Sequence, residues 1–457
     1  MRIQFYNKDK IDKNHLLFDN HALWVLLIPV MVEQLLNTFM GMADTMMVSR
    51  VGSEAISAVS LVDSVNVLFI QIFAALAAGA TILCSFYIGQ KDRRRANETA
   101  SQVLFALVTI SLIVMALCLF FRKPLLRIIF GQVDAGVMVN SQIYFFITAL
   151  SFPFIATSNA GGAFYRSGGE SRFPMTVSVI CNLLNIGGNA ILIFGLGLGV
   201  MGAALSTLIS RVVNALVLMI FLRRDAQPIV IRNYLIRPEF GIIRRVLNVG
   251  IPSGIENGMF QFGKLAIQSS ISTLGTTAIA AQAMTSILEG FNGIAAMGIG
   301  IGMMTVVGQC IGAGRKEEAR YNIVKLTMWS EIVIIIGCAV VMLLTKPVTI
   351  LAGMESEAAR MCISMMTFVT CTKPIFWVPS FIPPYGMRAA GDVKFSMIVS
   401  TITMWSVRVL TAVILIRVFH FGAIACWIGM AADWAVRGVI FSIRFFSGRW
   451  LEKSVAG

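Results

Sequence analysis

Pro29-Val30-Met31-Val32-Glu33 returns in outline as Pro252-Ser253-Gly254-Ile255-Glu256, 223 residues further along the chain. The same offset, without a gap, lays Gly52 on Gly275, Ala55-Ile56 on Ala278-Ile279, Gly79 on Gly302, Ile88-Gly89 on Ile311-Gly312 and Ala96 on Ala319. A second stretch aligns one residue closer: Arg166 on Arg388, Gly169 on Gly391, Phe173 on Phe395 and Met175 on Met397. Two separate stretches with nearly one offset indicate a duplicated chain.

The chain outside these marks is apolar. Of its 457 residues 57% are hydrophobic and 13% charged, about half the charge of a typical soluble domain. The apolar residues form long runs, as membrane crossings of about 20 residues require. The runs predict twelve helices, near 22–48, 56–88, 98–121, 136–165, 174–198, 200–222, 246–273, 277–311, 320–344, 358–386, 395–418 and 422–446. No cleavable leader is expected, since residues 1–20 are polar and charged. The expected division is an N-terminal segment 1–20, a first lobe 21–222, an arginine-rich linker 223–245, a second lobe 246–446 and a tail 447–457. Each half then holds six helices. An even number gives both halves one orientation, related by an axis along the membrane normal.

The net charge of +14 would suggest nucleic acid on a soluble protein. Here Lys and Arg crowd the short loops on one side, so they read as topology signals that place both termini in the cytoplasm. The eight cysteines lie in apolar stretches without a CxxC pair and read as packing residues. The only histidines are His15, His21 and His420. With no GxxxxGK[ST] and no HExxH, an ATPase, a zinc protease and enzyme activity in general are not expected. Transport would then be secondary, with no cofactor beyond a coupling ion.

Several motifs resemble the MATE (multidrug and toxic compound extrusion) family. They are Pro29-Val-Met-Val-Glu-Gln-Leu-Leu followed by Gly41-Met-Ala-Asp44 through Gly52; Tyr87-Ile-Gly-Gln-Lys-Asp with its echo Gly308-Gln-Cys-Ile-Gly-Ala-Gly314; Phe164 through Pro174; and Phe194 through Ala204. The resemblance runs through both halves. It implies a pair of six-helix lobes in a bacterial cell membrane, acting as a monomer. It implies export of cationic or amphipathic small molecules in exchange for H⁺ or Na⁺. It also implies a coupling role for Asp44, with Asn159 and Thr207 among its polar neighbours.

Ionisable groups inside a bilayer are functional candidates by default. The acids are Glu33, Asp44, Asp63, Glu256, Glu289, Glu331 and Asp433, and the bases are Arg211, Lys264, Lys325, Lys373, Arg408 and Arg437. Lys325, Glu331 and Arg437 lie near span ends, where snorkelling is expected. Asp44 follows Glu33 by eleven residues, which puts both on one helical face about 16 Å apart. Its repeat mate is Ile267, so the duplicated scaffold needs no acid there. Asn182, Asn185 and Asn189 stand at i, i+3 and i+7, one polar stripe on an apolar helix. Many family members have Asn-x-x-x-Asp where this chain has Asn185 and Asn189, one negative charge fewer. A Na⁺ at Asp44, Asn185 and Asn189 remains an alternative to a proton. Glu33 and Glu256 are repeat mates and are expected to line a substrate cleft with Gln34, Asp63, Gln261, Lys264 and Glu289. Paired acids there would favour cations. The competing reading has Lys264, eight residues on, neutralise Glu256. The alternative function is a flippase, or an exporter of an endogenous lipid-linked or metabolite substrate, for which a more cationic cleft is expected. A channel is a further alternative.

Overall fold

The computed structural model describes residues 15–131, 134–234 and 236–452, with residues 6, 11 and 12. Most of the N-terminal segment and the end of the tail lie outside them. The described residues form helices joined by turns and loops, without a strand. In order the helices are α1 (Asn20–Ser49), α2 (Ser53–Gly89), α3 (Arg93–Phe120), α4 (Arg122–Phe130), α5 (Ala135–Leu150), α6 (Phe152–Ser167), α7 (Arg172–Asn189), α8 (Gly199–Phe221), α9 (Phe240–Ile271), α10 (Thr276–Gly312), α11 (Lys316–Leu351), α12 (Ser356–Ala389), α13 (Val393–Thr403), α14 (Leu410–Arg417) and α15 (Ile424–Ser447).

Among the described residues ten helical spans are long and apolar enough to cross a membrane, and α5 with α6 forms an eleventh, bent by 43°. The single run expected at 136–165 is thus broken at Ser151, and Pro153 in the first turn of α6 accounts for the break. The remaining expected crossing is α9. Its 32 residues would extend about 48 Å, but Glu256, Asn257, Gln261, Lys264 and Gln268 make it polar. Two spans contain π turns, Ala190–Gly195 after α7 and Met404–Val409 between α13 and α14. Such turns mark functional sites more often than ordinary helix does.

The chain forms two compact units. One holds Met1–Met31 with Ile255–Gly457, the other Val32–Gly254. The boundaries fall inside α1 and α9, two residues beyond Pro29 and Pro252. They are repeat-equivalent, so each unit takes the first part of one long helix and the rest of the other. This differs from a division at the linker.

Glycines make the same exchange possible in both units. A Cβ at Gly302 of α10 would meet Leu27 of α1, and one at Gly79 of α2 would meet Val246 and Gly250 of α9. Gly250 is the repeat mate of Leu27, so the two contacts are copies. At Gly298 a Cβ would lie 2.8 Å from Met31 Cα and 3.1 Å from Met31 N. Backbone cannot yield as a side chain does. Gly298→Val should cost about 1–3 kcal/mol through overpacking, read as a lower thermal unfolding midpoint in detergent. Gly258→Ala, which points into open space, should leave the midpoint unchanged or slightly raised. Gly52 and Gly275, mates again, start α2 and α10 at φ of 146° and 95°, which L side chains rarely adopt.

Candidate functional site

In the unit Val32–Gly254 a polar group forms around Asp44. Asn189 Nδ2 donates to Asp44 Oδ1 over 2.5 Å. Asn185 fits its neighbours with its amide nitrogen toward the same oxygen, donating over 2.7 Å and accepting from the Thr207 hydroxyl at 3.3 Å. Asn185 and Asn189 are fully buried. Asn189 Oδ1 is buried without a partner. The helical spacing of four that put both amides on one face of α7 therefore delivers two donors to one carboxylate. The π turn begins immediately after Asn189.

A second set adjoins it. Arg211 of α8 donates to Ser151 Oγ at 2.7 Å, at the break between α5 and α6. Its guanidinium is within electrostatic reach of both Asp44 and Asp63. Asn66 donates to Asp63 at 3.4 Å and to Thr148 at 3.2 Å, and the buried Tyr144 is within electrostatic reach of Asp63. Asp63, expected in a substrate cleft, thus belongs with Arg211 and the residues near Asp44. Asn159 and Asn182 do not join: the Nδ2 of each is buried without a partner.

Glu33 and Glu256 behave differently from expectation. Arg166 of α6 pairs with Glu33 at 3.2 Å, and Arg388 of α12 pairs with Glu256 at 3.7 Å. Both members of one pair are repeat mates of the other. The two carboxylates are therefore partly neutralised within their own units and do not present two free negative charges to a cation. Arg388, not Lys264, is the partner of Glu256. Gln34, next to Glu33, and Gln261, five residues after Glu256, are half-buried.

The unit containing Ile255–Gly457 carries its own buried charges. Lys373 of α12 donates to Glu289 Oε1 at 2.5 Å and to the Glu289 carbonyl at 3.1 Å, and also to Asn292 Oδ1. Asp433 of α15 accepts from Arg408 at 2.7 and 3.0 Å and from Arg437 at 3.1 Å. Arg408 stands in the π turn. Arg437 is 2% exposed; it does not snorkel, because Asp433 lies one helical turn before it and fixes it inward. Lys325 rests on the rings of Tyr321 and Trp329. Charged groups at membrane depth cost at least about 2.5–3.5 kcal/mol each on insertion scales, so each carboxylate here offsets a large penalty. Among the described residues no three His, Cys, Asp or Glu side chains gather as a metal site. Seven of the cysteines are buried and Cys371 is exposed, all free.

The MatE family model matches residues 29–191 and again residues 252–414. The chain belongs to the MatE family. Both pairs of bounds keep the 223-residue offset seen between Pro29 and Pro252. Among relatives of this MatE chain, the uncharacterized transporter YisQ of Bacillus subtilis is 28% identical over 95% of this chain and 96% of its own. The multidrug export protein MepA of Staphylococcus saprophyticus is 25% identical over 75% of this chain and 74% of its own. A crystal structure of MATE in complex with MaL6 is similar with TM-score 0.87 and 22% identity, covering 94% of this chain and 96% of that one. It supports the fold.

Proposed function

We propose that this MatE protein is a secondary-active exporter of small organic molecules, driven by protons entering at Asp44, with both termini in the cytoplasm. The observation that carries the reading is the convergence of the Asn185 and Asn189 amide nitrogens on a single Asp44 oxygen. An ionised carboxylate is satisfied by those two donors. A protonated one must donate, and the unpartnered Asn189 Oδ1 is an acceptor within the same group. Protonation therefore rewires the contact between α1 and α7, and hydrogen bonds to a charged group are worth about 1.5–3 kcal/mol each. A Na⁺ would need both amide oxygens turned inward, and only one carboxylate would face it. One charge crossing 100 mV supplies about 2.3 kcal/mol, roughly a fifty-fold concentration ratio per proton. The names of relatives such as MepA support export.

The test is efflux from proteoliposomes of a panel of fluorescent cations, zwitterions and anions under a proton or a sodium gradient applied separately. A proton gradient should drive export and a sodium gradient alone should not. Equal rates under sodium alone would overturn proton coupling.

A further inference from the structure

The charges gathered around Glu289 and Asp433, in the unit containing Ile255–Gly457, do not balance. Lys264, Lys373, Arg408 and Arg437 gather around Glu289 and Asp433, four cations to two carboxylates. Glu256 already has Arg388. Lys373 is satisfied by Glu289 and Asn292, and Asp433 is shared by two guanidiniums. What remains is concentrated at two places. Lys264 is exposed, with no hydrogen-bond acceptor among the described residues, yet its electrostatic neighbours are Glu289 and Arg408. It therefore stands on the inner face of α9. Arg437 Nε is buried without a partner.

Aromatic rings tie these cations into one array. Lys264 Nζ lies 5.0 Å from the Phe260 ring centroid and Arg408 Cζ 4.8 Å from the same centroid. Phe260 meets Phe381 edge to face, and Phe381 stacks on Trp377 at 5.0 Å. Arg437 sits 5.1 Å from Phe381 and Lys373 5.2 Å from Trp377. Ring quadrupoles offset part of the cationic charge but supply no net countercharge. Arg408 is already held by Asp433, so the cation at Phe260 left without a direct countercharge is Lys264, and its repulsion from Arg408 adds to the attraction for an anion.

We infer that this array is a binding site for an amphipathic organic anion, whose acidic head pairs with the exposed Lys264 in the field of the buried Arg408 and whose apolar body lies along Phe260 and Phe381. The inference rests on the reading of the chain as an exporter of small molecules and names the class of one of them. It departs from the cationic substrate expected from Glu33 and Glu256. The head could be a free carboxylate or phosphate or that of a lipid.

The probes are fluorescein, a xanthene with a carboxylate, and rhodamine 123, a xanthene of opposite charge, titrated onto purified protein in phosphatidylcholine nanodiscs with protein-free discs as control. Fluorescein should bind saturably. Lys264→Gln should weaken it about tenfold, the effect of one charge-assisted contact, without a change in elution or unfolding midpoint. Lys264→Glu should abolish it and leave any rhodamine 123 binding no weaker. Binding is read with no gradient applied, so coupling can fail without the site failing. Phosphatidylglycerol added at about 0.3 M salt, where surface fields are screened, will displace fluorescein if the head is a lipid's and leave it bound if it is a solute's; both results keep the anion site. Binding of rhodamine 123 but not fluorescein, or equal fluorescein affinity in wild type and both Lys264 variants, overturns it.

Discussion

Asp44→Asn should reduce gradient-driven export to the level of empty liposomes while the protein still folds and still binds its substrate. The substitution is nearly isosteric, so packing around α1 and α7 is preserved. Its consequence is chemical. Asn189 Nδ2 and Asn185 Nδ2 both point at Asp44 Oδ1, and an amide oxygen in that place still accepts from them. The group is then held permanently in the neutral state, with no proton to take up or release. Downhill exchange of substrate for substrate, which needs no proton step, should survive better than transport against a gradient. Asp44→Glu should retain partial coupling, because the titrating group remains but its oxygens are displaced by a methylene. Asn189→Asp tests the same geometry from the other side: a second carboxylate within hydrogen-bond reach of Asp44 would place like charges together, favour retention of one proton by the pair and create the two-acid arrangement that a Na⁺ site requires. Measured with a pH-sensitive dye inside the vesicles, substrate-induced proton movement should vanish in Asp44→Asn. Unchanged proton movement there would remove Asp44 from the mechanism.

The duplication was legible in the sequence because it left exact marks, from Pro29 and Pro252 to Gly52 and Gly275. The structure gave those marks physical content: the prolines stand two residues from the unit boundaries, and the glycines occupy backbone angles that other residues avoid. The group around Asp44 was legible for a different reason. Helical spacing alone places Asn185 and Asn189 on one face, and a lone acid without a repeat mate advertises itself. The partners of Glu33 and Glu256 were not legible. Arg166 and Arg388 stood in the alignment as mates, but sequence spacing says nothing about which helices are neighbours, and 133 residues separate Arg166 from Glu33. Had both mate pairs been read together, their opposite charges would have suggested the link. Arg437 shows the same limit. Its place near the end of a span favoured snorkelling, whereas Asp433 four residues earlier and Arg408 on another helix decide its position. The π turn that carries Arg408 has no signal in composition at all.

Asp433→Asn should be among the most damaging single substitutions outside Asp44, and it should act on folding. Asp433 is fully buried, and Arg408 and Arg437 are 1% and 2% exposed. Removing the carboxylate leaves two guanidiniums facing each other in a region of low dielectric, with a neutral amide able to accept but not to compensate charge. Breaking a buried ion pair by deleting one partner costs about 3–5 kcal/mol, and here two pairs depend on one residue. A fluorescent fusion should show aggregated or absent protein on size-exclusion chromatography, while Asp225→Asn, which removes the exposed partner of Arg232, should run as wild type. Charge and shape can then be separated. Replacing Arg408, Asp433 and Arg437 together by Met, Leu and Met removes every charge of the triad, and apolar replacement of a buried ion cluster is often neutral or stabilising. If the triple variant regains a wild-type elution profile and the single variant does not, the triad is a matter of charge balance and is dispensable for the fold. Its retention then needs another reason, and the anion site supplies one: the refolded triple variant should have lost fluorescein binding along with Arg408. A single variant as stable as wild type would instead show that Asp433 balances no charge that the fold depends on.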